Sequence, residues 1–399
     1  MIKKQFGIGM LILVILLVGI TLIPAVSAQE ENYYNVTVEE AFEHANANMI
    51  DFIAADALGF ENWTGALIGP KPLELYDING QKLFYQFSVY KNDNLIGTID
   101  VCANKTLGPS INDIVFDPKP YKTTEAMEKS KEIAKSRYPT GEIESTVMVV
   151  YSYPRVGAMT LVNDKTAGDE HRIFVDGYTL DEVQDKPVTE KELGVWSVYD
   201  QTLKYGKENN LKEWQKSDQF AKSIEKAAAN KAININVAVT EKNMEKLSGD
   251  AAITTITKGN IDVPVIKQQT NYYCVPTSIQ MLCKYFKNPN PAPSQDSIFK
   301  YLKGKPKIGL SDDDISKWVK NKWGKTPVIR KTSLTNLDVV TEIDKKRPFF
   351  SLISGHCRVC RGYLNQGGYF YLYINDPLPG TKGYERTYGS KEIERVYVR

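Results

Sequence analysis

Histidine is scarce in this chain. Its 399 residues include only three, His44, His171 and His356, and of these only His356 lies in the last third. A site in that third that needs an imidazole base therefore has a single candidate. A zinc site there is not expected, because zinc ligands come in clusters of cysteine, histidine and carboxylate.

Cysteine is also sparse, with five residues in all. Cys357 and Cys360 lie three apart in a predicted strand, so their Cα atoms should be roughly 10 Å apart. A disulfide needs Cα atoms within about 7 Å, and the pair should not bond. Four of the cysteines are best interpreted as small buried apolar residues, with a disulfide of Cys283 left open: Cys102, Cys283, Cys357 and Cys360.

Long hydrophobic runs are absent after residue 26. The one such run, residues 7–26, follows Lys3 and Lys4 and ends near Val26-Ser27-Ala28. This order is typical of a signal peptide over residues 1–28, cleaved before Gln29. The run is also long enough to be an uncleaved membrane anchor. We therefore expect a secreted or cell-surface protein.

The charge is unevenly distributed along the chain. Residues 262–399 carry 23 lysines and arginines against 12 acidic residues, whereas residues 29–261 carry 25 against 36. This asymmetry predicts that the acidic N-terminal region docks on the basic C-terminal region, although each part could simply carry its own solubility charge. No nucleic-acid-binding motif accompanies the basic part, so no nucleic-acid partner is expected.

Hydrophobic periodicity divides the mature chain into three parts. Residues 29–185 read as two successive units of helix followed by antiparallel strands, which predicts an α+β fold. Residues 186–261 read as a helical connector, with a Lys-, Glu- and Ala-rich helix over residues 211–228. Residues 262–399 form the last domain, which is expected to open on a strand at Val263-Pro264-Val265-Ile266.

Cys274 is placed at the start of a predicted helix in this last domain. Pro276 suits a first helical turn, and the apolar residues that follow repeat at helical spacing: Ile279, Leu282, Cys283 and Phe286. A helix N-terminus favours thiolate over thiol, and the thiolate is the nucleophilic form. A buried structural cysteine is the plainer alternative.

A predicted hairpin supplies the partners that such a nucleophile needs. One strand covers residues 356–363, Gln366-Gly367-Gly368 forms the turn, and residues 369–374 return towards Asp376. This pairing should bring Asp376 beside His356, where the carboxylate would hold the imidazole tautomer. Cysteine as nucleophile, histidine as base and aspartate as orienter, with Gln268 or Gln269 as oxyanion donor, is the set required for thiol catalysis.

Residues 263–397 resemble the bacteriocin-processing, or double-glycine leader, type of papain-like cysteine peptidase. The motifs that carry the resemblance are Val263-Pro264-Val265, Gln268, Tyr273-Cys274-Val275-Pro276, Gly309-Leu310-Ser311, Gly355-His356, Gly362-Tyr363 and Asn375-Asp376-Pro377. The resemblance implies a papain-like fold, with Cys274, His356 and Asp376 as triad and Gln268 as oxyanion donor. Val275 departs from the family, which usually has glycine there, and this puts specificity in doubt.

The N-terminal region resembles, more loosely, the pro-domains of streptopain-type peptidases. The segments that carry this likeness are Tyr76-Asp77-Ile78-Asn79-Gly80, Tyr85-Gln86-Phe87-Ser88-Val89 and Ile96-Gly97-Thr98-Ile99-Asp100-Val101. The resemblance implies an inhibitor or folding aid, whereas an independent binding domain is the alternative.

Together these features predict an exported cysteine peptidase that acts on peptides or proteins, and a self-processing zymogen if the N-terminal region inhibits it. No cofactor or metal is expected. Amide transfer on the same triad, as in transglutaminase-like enzymes, is one alternative, since an acceptor amine competes with water for the same acyl-enzyme. A non-enzymatic surface protein on a papain-like scaffold is the other.

Overall fold

The structure is a computed structural model that describes residues 33–164, 168–189, 191–253 and 256–399. The predicted signal peptide, residues 1–28, lies outside the described residues. Within the described ranges, no helix is long and apolar enough to cross a membrane.

The first helix-and-sheet unit follows the predicted order. Thr37 caps helix α1 by accepting a hydrogen bond from the Glu40 amide at 3.1 Å. Antiparallel hairpins then follow, as the alternating apolar pattern indicates. The elements are α1 (Val38–Ala54), β1 (Leu67–Ile68), β2 (Leu73–Tyr76), β3 (Lys82–Lys91), β4 (Asn94–Cys102), a short 3-10 turn (Lys105–Leu107) and β5 (Ile111–Phe116).

The second unit repeats this order. Its strands join the first unit at one point, where Tyr76 of β2 pairs in parallel with Val149 of β6. The remaining pairings of this unit are antiparallel. The elements are α2 (Thr123–Arg137), β6 (Glu142–Ser152), β7 (Arg155–Asp164), β8 (Asp169–Asp176) and β9 (Glu182–Val183).

The connector is helical in its middle but not at its start. Residues 186–189 and 191–196 contain no helix, and Pro187 and Val195 form an isolated bridge. The predicted helix over residues 211–228 is confirmed as part of a longer helix, α4. Ala221 and Ile224 of α4 pack against Ala47 and Ile50 of α1 in one apolar cluster. The elements are α3 (Val198–Leu203), α4 (Lys207–Asn230), α5 (Glu241–Leu247) and β10 (Thr257–Asn260).

In the last part of the chain, one predicted element is wrong. Residues 263–266 are not a strand; the strand β10 ends earlier, at Asn260. The Val263 carbonyl accepts a hydrogen bond from the Asn375 side chain at 2.9 Å, and Pro264 has no N–H to donate to a ladder. The elements are α6 (Cys274–Phe286), α7 (Gln295–Tyr301), α8 (Asp312–Trp323), β11 (Pro327–Arg330), α9 (Asn336–Asp344), β12 (Phe349–Ile353), β13 (His356–Gln366), β14 (Tyr369–Asp376), β15 (Thr381–Arg386) and β16 (Glu392–Val398).

Strands of the N-terminal region and of the last domain belong to one sheet. The sixteen strands of the described residues belong to it, and β15 pairs with β5 through Lys382–Phe116 and Glu385–Asp113. Apolar packing crosses the same junction, since Tyr371 and Tyr384 share a core cluster with Phe52 and Phe116. This mixed α/β architecture, with helices set apart from a mainly antiparallel sheet, is consistent with the predicted α+β class.

Candidate active site

Cys274 is the first residue of α6. Tyr273 precedes the helix, Pro276 lies in its first turn, and the side chain of Cys274 is buried. Ser278, one turn along, donates a hydrogen bond to the Cys357 carbonyl at 3.2 Å and so ties the helix to β13. The sulfur therefore lies at the positive end of a helix that is fixed against the sheet.

His356 begins β13 and faces the end of β14. Gly355, with φ of 71°, makes the left-handed turn that leads into the strand, a conformation that favours glycine. His356 Nε2 lies 2.9 Å from Asp376 Oδ1, and the same carboxylate oxygen accepts a hydrogen bond from the Leu378 amide at 2.7 Å. The hairpin thus brings together the two residues that its sequence predicted to meet.

The charges around the histidine favour an ion pair with the cysteine. Burial disfavours protonated His356, but the Asp376 charge and hydrogen bond outweigh burial and raise the pKa of the imidazole. Burial likewise disfavours the Cys274 thiolate, yet the interaction with His356 lowers the pKa of the thiol. Because Nε2 is held by Asp376, the other ring nitrogen, Nδ1, is the one left to exchange a proton with sulfur; it has no hydrogen-bond partner.

Gln268 is buried and Gln269 is exposed, so burial distinguishes the two candidates for the oxyanion donor. The Gln268 amide nitrogen donates a hydrogen bond to the Thr270 carbonyl at 2.8 Å, which leaves its second N–H available. Its backbone N–H donates to the Pro377 carbonyl at 2.8 Å, next to Asp376. Gln268 borders a neighbouring cavity that shares Asn271 with the cleft of Cys274 and His356.

Arg155, a residue that the sequence did not single out, reaches the site from the N-terminal region. It follows the turn between β6 and β7, is 2% exposed, and donates a hydrogen bond to the Asn271 carbonyl at 3.0 Å. Its Nη1 atom has no hydrogen-bond partner. The Arg155 charge also helps to lower the pKa of Cys274. Its effect is smaller than that of burial, which raises this pKa, and smaller than that of His356, which lowers it. In the sequence, the feature that could have drawn attention to Arg155 is a single arginine at the start of the apolar strand β7.

The cleft beside Cys274 and His356 has a volume of about 160 Å³. Its walls come from five parts of the chain: the start of the connector, the start of α6 with the residues before it, the loop before α8, the turn between β12 and β13, and part of β16. The residues of the connector that line it are Val188, Thr189, Lys191, Glu192 and Leu193. Residues 188–189 and 191–193, here named the cleft segment, were predicted only as part of a helical connector.

The cleft segment is bound to both sides of the cleft. The Gly309 amide donates a hydrogen bond to the Lys191 carbonyl at 2.6 Å. On the other side, Val188 packs so closely on Gly355 that a Cβ atom at position 355 would lie 2.5 Å from Val188 Cγ2. The cleft segment therefore forms one edge of the cleft that contains Cys274 and His356.

Comparison with known proteins bears on the last third of the chain. Residues 260–399 match the Peptidase_C39 like family. The match supports a C39-like, papain-type peptidase domain there, and with it a peptidase of the cysteine type. It begins just before Val263 and includes Cys274, His356 and Asp376. No curated protein matches the chain significantly.

One group of side chains in the described ranges has the spacing of a metal site, and it lies on α1 and α4. Glu40, His44 and Asp218 each offer a ligand atom, all within 4.8 Å of one another. Lys105 Nζ already pairs with Glu40 at 3.0 Å, a cation that opposes a metal ion there. Burial lowers the pKa of His44 to about 4, so the imidazole is neutral.

Proposed function

We propose that this protein is an exported cysteine peptidase that cleaves peptide bonds with Cys274 as nucleophile. The observation that carries the proposal is that Cys274 and His356 line one cleft, with His356 Nε2 lying 2.9 Å from Asp376 Oδ1. The family match over residues 260–399 supports the same reaction class. Export rests on the hydrophobic run near the N-terminus, and the secreted protein should begin at Gln29.

In the proposed reaction, His356 Nδ1 holds the proton of Cys274 and the thiolate attacks the substrate carbonyl carbon. Charge develops on the carbonyl oxygen, where the Cys274 backbone N–H and the Gln268 side chain donate hydrogen bonds. His356 then protonates the amine as the C–N bond breaks, and an acyl-thioenzyme remains. Water, deprotonated by His356, attacks this thioester, the C–S bond breaks, and the acid leaves. Asp376 keeps the imidazole oriented throughout.

We propose further that the protein is made as a zymogen in which the cleft segment blocks the site. The hydrogen bond from Gly309 to Lys191 and the packing of Val188 on Gly355 support this arrangement. Self-processing would cut the chain in or after the cleft segment, within residues 186–261. The acidic N-terminal region would remain docked on the basic peptidase domain until the cut releases it.

Incubation of the full chain, followed by intact-mass analysis over time, tests this function. We expect a cut within residues 186–261 that is absent from Cys274→Ala and present in Cys283→Ala. Cys283 is the matched control, because it lies on the same helix and burial raises the pKa of its thiol to about 12. In a parallel assay, an added protease first cuts the chain within residues 186–261 and is then removed, and an unstructured protein is added as substrate.

Two further readouts distinguish the outcomes. In water enriched in ¹⁸O, hydrolysis places the label in the new carboxyl group, whereas amide transfer to an added amine does not. Cleavage of the added substrate without self-cleavage would support the peptidase and contradict the self-processing zymogen. If neither the chain nor the substrate is cleaved, the proposal of a peptidase is wrong.

A further inference from the structure

A row of polar side chains crosses the junction between the N-terminal region and the last domain. Gln86 of β3 pairs with Asp100 of β4, and Asp100 pairs with Asp113 of β5. Asp113 in turn pairs with Glu385 of β15. Residues that are directly opposite in adjacent strands point to the same face of the sheet, so the four side chains form one line. We name this line the acidic row.

The acidic row is buried, and its carboxylates are incompletely paired. Asp100, Asp113 and Glu385 are 6%, 9% and 3% exposed. One oxygen of each has no hydrogen-bond partner: Asp100 Oδ1, Asp113 Oδ1 and Glu385 Oε1. A buried carboxylate oxygen without a partner is costly, and like charges placed opposite each other in a sheet are destabilising. Packing alone therefore does not account for three such groups in a line.

The row borders a cavity of about 280 Å³. Its other walls are mainly apolar and aromatic, and they include Leu75, Phe84, Leu95, Val150, Tyr153 and Ile374. An apolar pocket with a few convergent polar groups is the usual form of a small-molecule site. The acidic row supplies those polar groups on one side of the cavity.

Neighbouring donors pair with only one oxygen of Asp113 and of Glu385, and the other oxygen of each has no partner. The Arg358 guanidinium donates a hydrogen bond to Glu385 Oε2, and Tyr153 donates to Asp113 Oδ2 at 2.8 Å. Burial and the neighbouring Asp113 charge raise the pKa of Asp100. Lys391 contacts the Tyr153 ring at 4.9 Å but donates its hydrogen bond to Asn112. The remaining charged or titratable groups of the cavity wall are Tyr90, Lys119, Tyr121, Tyr178, Asp376, Lys382 and Tyr384.

The spacing of the row favours an ammonium group over a metal ion. Neighbouring strands lie roughly 4.8 Å apart, so the outer carboxylates of the row are about 10 Å from each other. A calcium ion needs its oxygen ligands at about 2.3–2.6 Å, and three strands cannot supply them from this line. An ammonium group has three donors and can lie between two adjacent carboxylates with N–O distances of about 2.8 Å.

We propose that this cavity binds a small primary amine, with its apolar body in the pocket and its ammonium group against Asp100 and Asp113. The ammonium places a positive charge between two opposed carboxylates, each of which has one oxygen without a hydrogen-bond partner. The inference goes beyond the proposed peptidase, because the cavity and the cleft of Cys274 have no lining residue in common, and the two adjoin only through Asp376, which lies in the cavity wall and contacts His356 of the cleft. Its test measures binding and does not depend on activity.

Calorimetric titration of the full chain at pH 7 with hexylamine, 1-hexanol and hexanoate tests the proposal. The three probes share one apolar chain and differ in the charge of the head group. We expect hexylamine to saturate at one molecule per chain and to bind about tenfold or more tightly than 1-hexanol, since hydrogen bonds to charged groups contribute roughly 1.5–3 kcal/mol. Equal binding of amine and alcohol, preferred binding of hexanoate, or no saturable binding of hexylamine would overturn it.

Three variants locate the site. Asp100→Asn should weaken hexylamine binding about tenfold or more and leave 1-hexanol unaffected. Asp93→Asn makes the same change at an exposed position on the β3–β4 hairpin and should have no effect. Ser88→Phe fills the cavity and should weaken both probes. Thermal unfolding checks that each variant folds, and Asp113→Asn replaces Asp100→Asn if that variant does not. Loss of binding in Asp93→Asn, or unchanged binding in every cavity variant, refutes the assignment.

Discussion

Truncation of Val188 to alanine should expose Cys274. Val188 is half-buried and packs on Gly355 at one side of the cleft. The change removes two methyl groups, each contributing about 0.8 kcal/mol when fully buried, so half burial gives about 0.8 kcal/mol in all. The closed arrangement loses that stabilisation, and the fraction of molecules with an open cleft rises about fourfold.

Alkylation by iodoacetamide, an uncharged reagent, measures this opening. The rate of Cys274 labelling follows the open fraction when the cleft segment must detach before the reagent can reach the sulfur. We expect Val188→Ala to be labelled about fourfold faster than the unmodified chain. Val183→Ala is the matched control, because Val183 is also half-buried but lies on β9, outside the cleft. Equal labelling rates for the two variants would refute the view that the cleft segment limits access.

Two other substitutions test the charges around the thiol. Asp376→Asn removes the charge that raises the pKa of His356, so less imidazolium is present to stabilise the thiolate, and the midpoint of the pH–labelling curve for Cys274 should move to higher pH. Arg155→Gln removes a smaller stabilising charge, and its midpoint should move in the same direction by less. In both cases labelling at pH 6 should fall while labelling well above the thiol pKa is retained. A midpoint that stays unchanged in Asp376→Asn, measured by mass spectrometry across a pH series, would contradict the proposed ion pair.

The hairpin of β13 and β14 was predictable because its determinants are local. Gln366-Gly367-Gly368 fixes the turn, and with the turn fixed, strand alternation brings His356 and Asp376 to the same end. The start of α6 was predictable for the same reason, since Pro276 and the apolar spacing act within one or two turns. Both elements are determined by residues that lie close together in the chain.

The contacts that the sequence did not reveal are formed between distant segments. Arg155 meets Asn271 across 116 positions of the chain, and the Lys191 carbonyl meets Gly309 only in the folded protein. Residues 263–266 have the β-branched composition of a strand, but Asn375 takes the Val263 carbonyl and Pro264 offers no donor. Local propensity therefore predicted a strand at residues 263–266, whereas in the folded protein a side chain from β14 binds the backbone carbonyl that a strand partner would use.

The acidic row is another feature that depends on contacts between distant segments and that the sequence did not reveal. Asp100, Asp113 and Glu385 lie in three alternating strands, and although Asp100 belongs to a segment that resembles streptopain-type pro-domains, no sequence pattern groups the three residues. They form a line only because β15 pairs with β5 in one register. A shift of one residue would turn the Glu385 side chain to the other face of the sheet.

The proposed role of Cys274 is tested most directly by competition among the five cysteines for a limiting amount of iodoacetamide at pH 7, read by peptide mapping of the Val188→Ala chain. Burial raises the pKa of the thiols of Cys283, Cys357 and Cys360, whereas the interaction with His356 lowers the pKa of Cys274. Cys274 should be labelled first, and Asp376→Asn should remove its advantage. Labelling of another cysteine first, with Cys274 unmodified, would contradict the proposed role of Cys274.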